Sequence, residues 1–258
     1  MPYSVESVSP ARAGAPAPAG PGPVPWIAMY HSVGDRSPDP YRITVTPERL
    51  DRQLRWLARR GLRGVSVAEL LAARTRGEGR DLVGLTFDDG YADFVDHALP
   101  VLARRGCTAT LFVLPGRLGG DNAWDPLGPR KPLLTADGIR RARDAGMEIG
   151  SHGLTHVDLT RADDTRLTAE ITESRALLEE LTGGPVAGFC YPYGTVDRRA
   201  MDAVRDAGYG YGCAIDPGAL NGPLVLPRVH VGQNDGAGRL FLKHRLHRWR
   251  RQPVAGLR

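Results

Sequence analysis

From Pro25 onward, short apolar runs alternate with helical patterns, and glycines punctuate the junctions. The spacing predicts strands over 26–31, 82–87, 109–114, 147–150, 186–191, 209–215 and 224–231, with a weaker one near 63–66. Helices are expected over 67–74, 92–105, 135–145, 165–181 and 197–207. A further helix opens with Thr46 as N-cap, Pro47 at its first position and Glu48 in its first turn. It carries Leu50, Leu54 and Leu57 on one face and ends at Gly61. Gly106, Gly146, Gly183 and Gly208 each follow a helical run, where a left-handed C-terminal residue is expected.

Strictly alternating strand and helix favour a parallel α/β architecture. About seven units in roughly 230 residues fit a small barrel, a distorted (β/α)7-type single domain, better than an open sheet. No Gly-x-Gly-x-x-Gly follows the first strand and no Walker loop occurs, so the nucleotide-binding α/β folds lose support. A barrel places its chemistry just after the C-terminal ends of its strands.

Residues 1–24 are rich in Pro, Ala and Gly and are expected to be a disordered tail. They have no basic start and no apolar stretch, so a signal peptide is not indicated, and a cytoplasmic location is the default. The barrel domain is expected over 25–235 and a basic C-terminal helix or tail over 236–258. No apolar run reaches the roughly 18–20 residues of a membrane span. Three cysteines, Cys107, Cys190 and Cys213, are too few for a disulfide scaffold or a thiolate zinc site.

The formal charge is +5, but it is unevenly spread. The last twenty residues hold seven basic side chains and no acid, whereas the rest of the chain holds 27 basic and 29 acidic residues. Leu242, Leu246 and Trp249 form an i, i+4, i+7 stripe in that basic tail. The tail reads first as a helix packed on the barrel. A second reading is peripheral contact with an anionic membrane through 239–251. No nucleic-acid partner is expected, since no binding module is evident.

Several candidate chemical groups fall at strand ends. Thr86-Phe87-Asp88-Asp89-Gly90 closes one strand. Adjacent carboxylates there repel unless a cation intervenes, and neighbouring side chains leave a strand in different directions. One can then bind a metal while the other moves a proton, although Asp-Gly is also an ordinary turn pair. Ser151-His152-Gly153-Leu154-Thr155-His156 follows another strand. Two histidines four apart on one helical turn can share a metal. Asp89, His152 and His156 would make a two-His, one-carboxylate site with open positions. Cys190-Tyr191-Pro192-Tyr193-Gly194 shapes a sharp loop whose Tyr193 backbone N–H could face the site, or it is a plain strand exit. His31 ends the first strand and is either a satisfied buried histidine or a catalytic one. Arg228 could pair with the Asp88–Asp89 turn or be a surface residue. The loop 115–132, with Trp124 and Asp125, and the segment 217–223 are expected to shape a pocket. Tyr191, Tyr193 and Trp124 are candidate substrate contacts.

The three motifs, in this order over residues 26–231, resemble the polysaccharide deacetylases of carbohydrate esterase family four. The resemblance implies a distorted barrel, a divalent metal, usually zinc, on Asp89, His152 and His156, and Asp88 as general base. It also implies an oxyanion contact from the Tyr193 N–H. Cys190 stands where many members carry an Arg, and Arg228 is the candidate to replace it. The opening Tyr30-His31 resembles the permuted subgroup that includes poly-N-acetylglucosamine deacetylases, which implies His31, rather than His230, as the acid. The implied activity is removal of N-acetyl groups from an amino sugar, glycan or glycoconjugate, or from an N-acetylated small molecule. Two alternatives are hydrolysis of another acyl group (an O-acetyl ester, a formamido sugar or a small amide) and an inactive carbohydrate-binding relative.

Overall fold

The structure is a computed structural model that describes residues 25–35, 38–215 and 217–247. The proposed disordered tail at 1–24 and the end of the basic tail, including Trp249, lie outside these residues.

The chain runs β1 (Ile27–Tyr30), β2 (Ser32–Val33), β3 (Thr44–Val45), α1 (Pro47–Ala58), β4 (Arg63–Val65) and α2 (Val67–Thr75). It continues through β5 (Leu82–Phe87), α3 (Leu99–Arg104), β6 (Thr110–Val113), α4 (Ala136–Asp144), β7 (Glu148–Ser151) and α5 (Asp164–Thr182). Then come β8 (Gly188–Cys190), α6 (Arg198–Asp206), β9 (Tyr211–Ala214), β10 (Leu226–Pro227), β11 (Val229–His230) and α7 (Ala237–Leu246). The expected α/β alternation is present from β3 to β9.

All pairings in the main sheet are parallel, in the order β10, β9, β8, β7, β6, β5, β1, β11. The final strand, expected as one run over 224–231, is divided. Pro223–Val225 forms a 3-10 turn, β10 pairs with β9, and β11 pairs with β1 on the opposite edge. One chain segment thus joins both edges and nearly closes a ring of seven strand positions, with Arg228 at the joint. The Arg228 N–H donates to the Ala214 carbonyl and the Val231 N–H to the Met29 carbonyl, which fastens both sides. The ring is distorted at β5 as well: β4 pairs with its first half and β6 with its last two residues.

Local chemistry accounts for the helix boundaries. Thr46, Ser66, Thr135, Asp163 and Asp197 each accept a backbone N–H in the first turn of the helix they precede. Gly61, Gly106, Gly146, Gly183 and Gly208 all adopt positive φ after a helix. The helix expected over 92–105 is instead a π-helical turn, Phe94–Ala98, followed by α3. Pro100 supplies no N–H to continue an α-helical ladder there, so the bonding pattern changes just before it.

Inside the barrel, Ile27, Phe112, Tyr211, Cys190 and Cys213 pack together and are buried. Gly150 makes room for this filling, since a Cβ there would meet the Phe112 ring at 2.6 Å. Outside, the helices bury Leu50, Leu54, Leu102, Ile139, Ile171 and Val204 against the strands. Each such side chain contributes about 1.5–3 kcal/mol.

Helix α7 docks on the barrel, but not through the expected stripe. Leu240 and His247 are buried, His244 packs on Trp26 at 4.8 Å, and Lys243 donates to the His230 carbonyl. Leu242 and Leu246 are 55% and 37% exposed. The facing positions 240, 243, 244 and 247 still follow helical spacing; mixed side chains hid them from an apolar count. Among the described residues no helix is long and apolar enough to cross a membrane.

Candidate active site

The candidate groups sit where a parallel barrel exposes them, after strand C-termini. His31 follows β1, Asp88 and Asp89 follow β5, His152 follows β7, Tyr191 and Tyr193 follow β8, and Arg228 joins β10 to β11. Together with Trp124, Asp125, Tyr41, Ile43 and His230 they line an open cleft of about 360 Å³.

Asp89 is turned into the cleft by a left-handed backbone, φ 70°, which is uncommon for a non-glycine residue. Gly90 continues the turn at φ 68°, and a Cβ there would press on Val113. Asp89 Oδ1 lies 3.2 Å from His152 Nε2 and 3.4 Å from His156 Nε2, and all three residues are buried. His152 Nδ1 sits 2.8 Å from the Cys190 carbonyl oxygen. A carbonyl only accepts, so Nδ1 carries a proton, and in neutral His152 Nε2 presents its lone pair. A carboxylate oxygen and an imidazole lone pair thus converge on one point. Buried Asp89 Oδ1 has no hydrogen-bond donor among the described residues. The ligand atoms of Asp89, His152 and His156 lie within 4.8 Å of one another. This donor set fits a divalent cation.

The two histidines do not share a helical turn, as their spacing suggested. Residues 152–158 form a loop, and His156 has φ 68°. Buried Glu170 of α5 holds that loop by accepting from the N–H groups of Leu154 and Thr155, each at 2.8 Å, and from the Thr155 hydroxyl. Sequence reasoning missed Glu170. Its signal was an acid inside the buried stripe Leu167, Ile171, Ser174, Leu178.

Asp88 is the partner of a different cation. Arg228 Nη1 donates to Asp88 Oδ1 at 2.6 Å and to Thr86 Oγ1 at 3.0 Å. Arg228 Nη2 reaches Cys190 Sγ at 3.0 Å, and that thiol lies 3.6 Å from Asp88 Oδ2. Burial opposes the charge of Asp88, but Arg228, His31 and His152 outweigh it and hold the carboxyl below its usual range. Burial pushes the Cys190 thiol up, so it stays neutral. His31 Nε2 is 3.9 Å from Asp88 Oδ2 on the solvent side. The ring of His230 lies 6.4 Å from that of His31. Burial, then His31 and Lys243, pushes the His230 imidazole down.

Aromatic rings frame the opening. Trp124 stacks on His156 at 4.5 Å, and Tyr193 meets the same ring edge-on at 4.6 Å. Tyr193 is half exposed with φ 59°, and its backbone N–H has no acceptor among the described residues. Tyr191 is fully buried and its hydroxyl donates to the Leu224 carbonyl. The wall near the end of β9 is made by Ile215 and Gly194; residues 217–223 are not among the lining residues described.

The fold is a parallel barrel of seven strand positions whose mouth carries an Asp-His-His cluster and a second, Arg-paired aspartate. A family profile described as polysaccharide deacetylase matches residues 75–212, and the chain belongs to that family. YxkH of Bacillus subtilis, which carries the polysaccharide deacetylase name, is 26% identical over 210 residues, 80% of this chain and 70% of the relative. A poly-β-1,6-N-acetyl-D-glucosamine N-deacetylase of Staphylococcus aureus is 20% identical over 219 residues, 80% of this chain and 72% of the relative. Among solved structures, the Streptococcus pyogenes deacetylase PplD in complex with acetate superposes with a TM-score of 0.73 at 26% identity. That match covers 85% of this chain and 98% of the other.

Proposed function

We propose that this chain is a metal-dependent N-deacetylase of an amino-sugar glycan. The observation that carries the reading is the convergence of Asp89 Oδ1 with the Nε2 atoms of His152 and His156 beside the Arg228-held Asp88. The poly-N-acetylglucosamine activity named for a relative supports the substrate class.

Asp89, His152 and His156 would hold the ion, and their mixed N and O donors suit zinc. Such an ion polarises the acyl carbonyl and lowers the pKa of a neighbouring water. The chain's own groups do the rest. Asp88, kept ionised by Arg228, takes the proton of the attacking water. The Tyr193 N–H donates to the oxyanion that develops on the acyl oxygen. Trp124 and the Tyr193 ring offer flat apolar faces to the sugar. Protonated His31 delivers a proton to the leaving amine nitrogen. His230 is not chosen for this step because its buried, cation-flanked ring favours the neutral form, which has no proton to give. Cys190 cannot pair with Asp88 as an Arg would, and Arg228, from the joint between β10 and β11, takes that place.

The test is Asp88→Asn. Acetate release from N-acetylglucosamine oligomers is expected to fall at least 10²-fold, the scale of one acid–base group, with bound metal retained. Unchanged turnover would remove Asp88 from the mechanism.

A further inference from the structure

A second cleft, of about 400 Å³, adjoins the first. His230 lines both. The segment 41–43 forms part of the partition: Tyr41 and Ile43 face the catalytic cleft and Arg42 lines the other.

The acids in this second cleft are already committed. Asp39 accepts the N–H groups of Ile43 and Thr44 at 3.2 and 2.7 Å. Asp235 accepts the Gly232 N–H at 2.8 Å and pairs with Lys243. The donors are not. Arg42 and Arg239 are exposed, and neither guanidinium has a carboxylate partner among the described residues. Gln233 Oε1 accepts the Thr46 N–H at 2.9 Å, which leaves its amide N–H groups to donate. Helix α7 starts here without a side-chain cap on its first N–H groups, so its positive end adds to the same field.

We propose that this cleft is an anion subsite, which takes a carboxylate or phosphate group borne by the glycan next to the sugar being deacylated. It rests on the deacetylase reading above and narrows the substrate to an acidic glycan or glycoconjugate. Two forked guanidiniums and an amide can donate N–H groups to the oxygens of either group. A ligand that spans both clefts must extend past His230, as a neighbouring sugar unit does.

The experiment uses the full chain and measures binding as well as turnover. The probes are a hyaluronan tetrasaccharide (carboxylate), N-acetylglucosamine 1-phosphate (phosphate) and neutral tetra-N-acetylchitotetraose. In the double variant Arg42→Asn, Arg239→Gln, affinity for at least one acidic probe is expected to fall tenfold or more. Its affinity for the neutral probe is expected to change less than threefold. Asn tolerates the left-handed backbone at position 42. Wild-type affinity for that acidic probe should weaken with added salt, and Arg42→Lys, Arg239→Lys should recover most of it. The acidic probe that responds identifies the group as a carboxylate or a phosphate. Equal losses for acidic and neutral probes, or no acidic probe responding, would overturn the subsite. Binding is read without turnover, so absence of acetate release from every probe would count against the deacetylase reading and leave the subsite to the binding result.

Discussion

Arg228 and Asp88 meet at 2.6 Å across the mouth of the barrel, with side chains only 1% and 3% exposed. The arginine comes from the joint where one strand switches from β9 to β1, so closure of the barrel and the charge of Asp88, the proposed base, are set by the same residue.

Replacing Arg228 therefore touches both. In Arg228→Met, Asp88 keeps its burial but loses the cation that lowers its pKa. The folded-state pKa rises, and the acid limb of the kcat/KM profile should move to higher pH, by about 1–3 units. Breaking a buried pair should also lower stability by about 3–5 kcal/mol in urea titrations. An unshifted acid limb in a folded variant would separate Arg228 from the base.

His31 and His230 face the same cleft, and their roles should separate kinetically. His31→Ala is expected to lose at least 10²-fold in kcat on an N-acetyl sugar, whereas His230→Ala should lose less than tenfold. Inactivity confined to His230→Ala would reverse the assignment.

How far the sequence discloses this site follows from the range of each contact. Asp88, Asp89, His152, His156 and Tyr193 lie in short motifs at strand ends, where local patterning and the barrel rule meet. The convergence of the histidines was legible, but not its route. A helical turn was expected, whereas His156 returns through a left-handed loop held by Glu170, sixteen residues from Leu154. Arg228 could be named as a partner for Asp88, but its contact with Cys190 depends on closure across the ring, which no local pattern encodes. Tyr41 and His230 reach the cleft by the same long-range folding. The docking face of α7 was misread because histidine and lysine stems replace the apolar residues a stripe is counted from.

Away from the site, Asp51 ties α1 to the end of α3. It accepts from Arg105 Nε and Nη2 at 2.8 and 2.7 Å and from Arg55 at 2.7 Å. The Arg105 hydrogen bonds, against a smaller burial effect, hold its pKa down to about 2, from 3.8. A lowered folded-state pKa stabilises fully above the unfolded value, and the effect is lost as pH falls through the folded one. Asp51→Asn should cost about 1–2 kcal/mol at neutral pH, after allowance for the exposed arginines. The gap to wild type should close as pH drops from 3.8 towards 2. Urea midpoints of the two proteins at matched pH values check this, and a gap independent of pH would contradict it.

The most direct measurement is acetate release from β-1,6-linked N-acetylglucosamine oligomers by the full chain, before chelation, after it, and after zinc is restored. Release should occur, stop when the metal is stripped and return with zinc. Release that continues undiminished in the stripped protein, or none from the zinc-loaded protein, would contradict a metal-dependent deacetylase built on Asp89, His152 and His156.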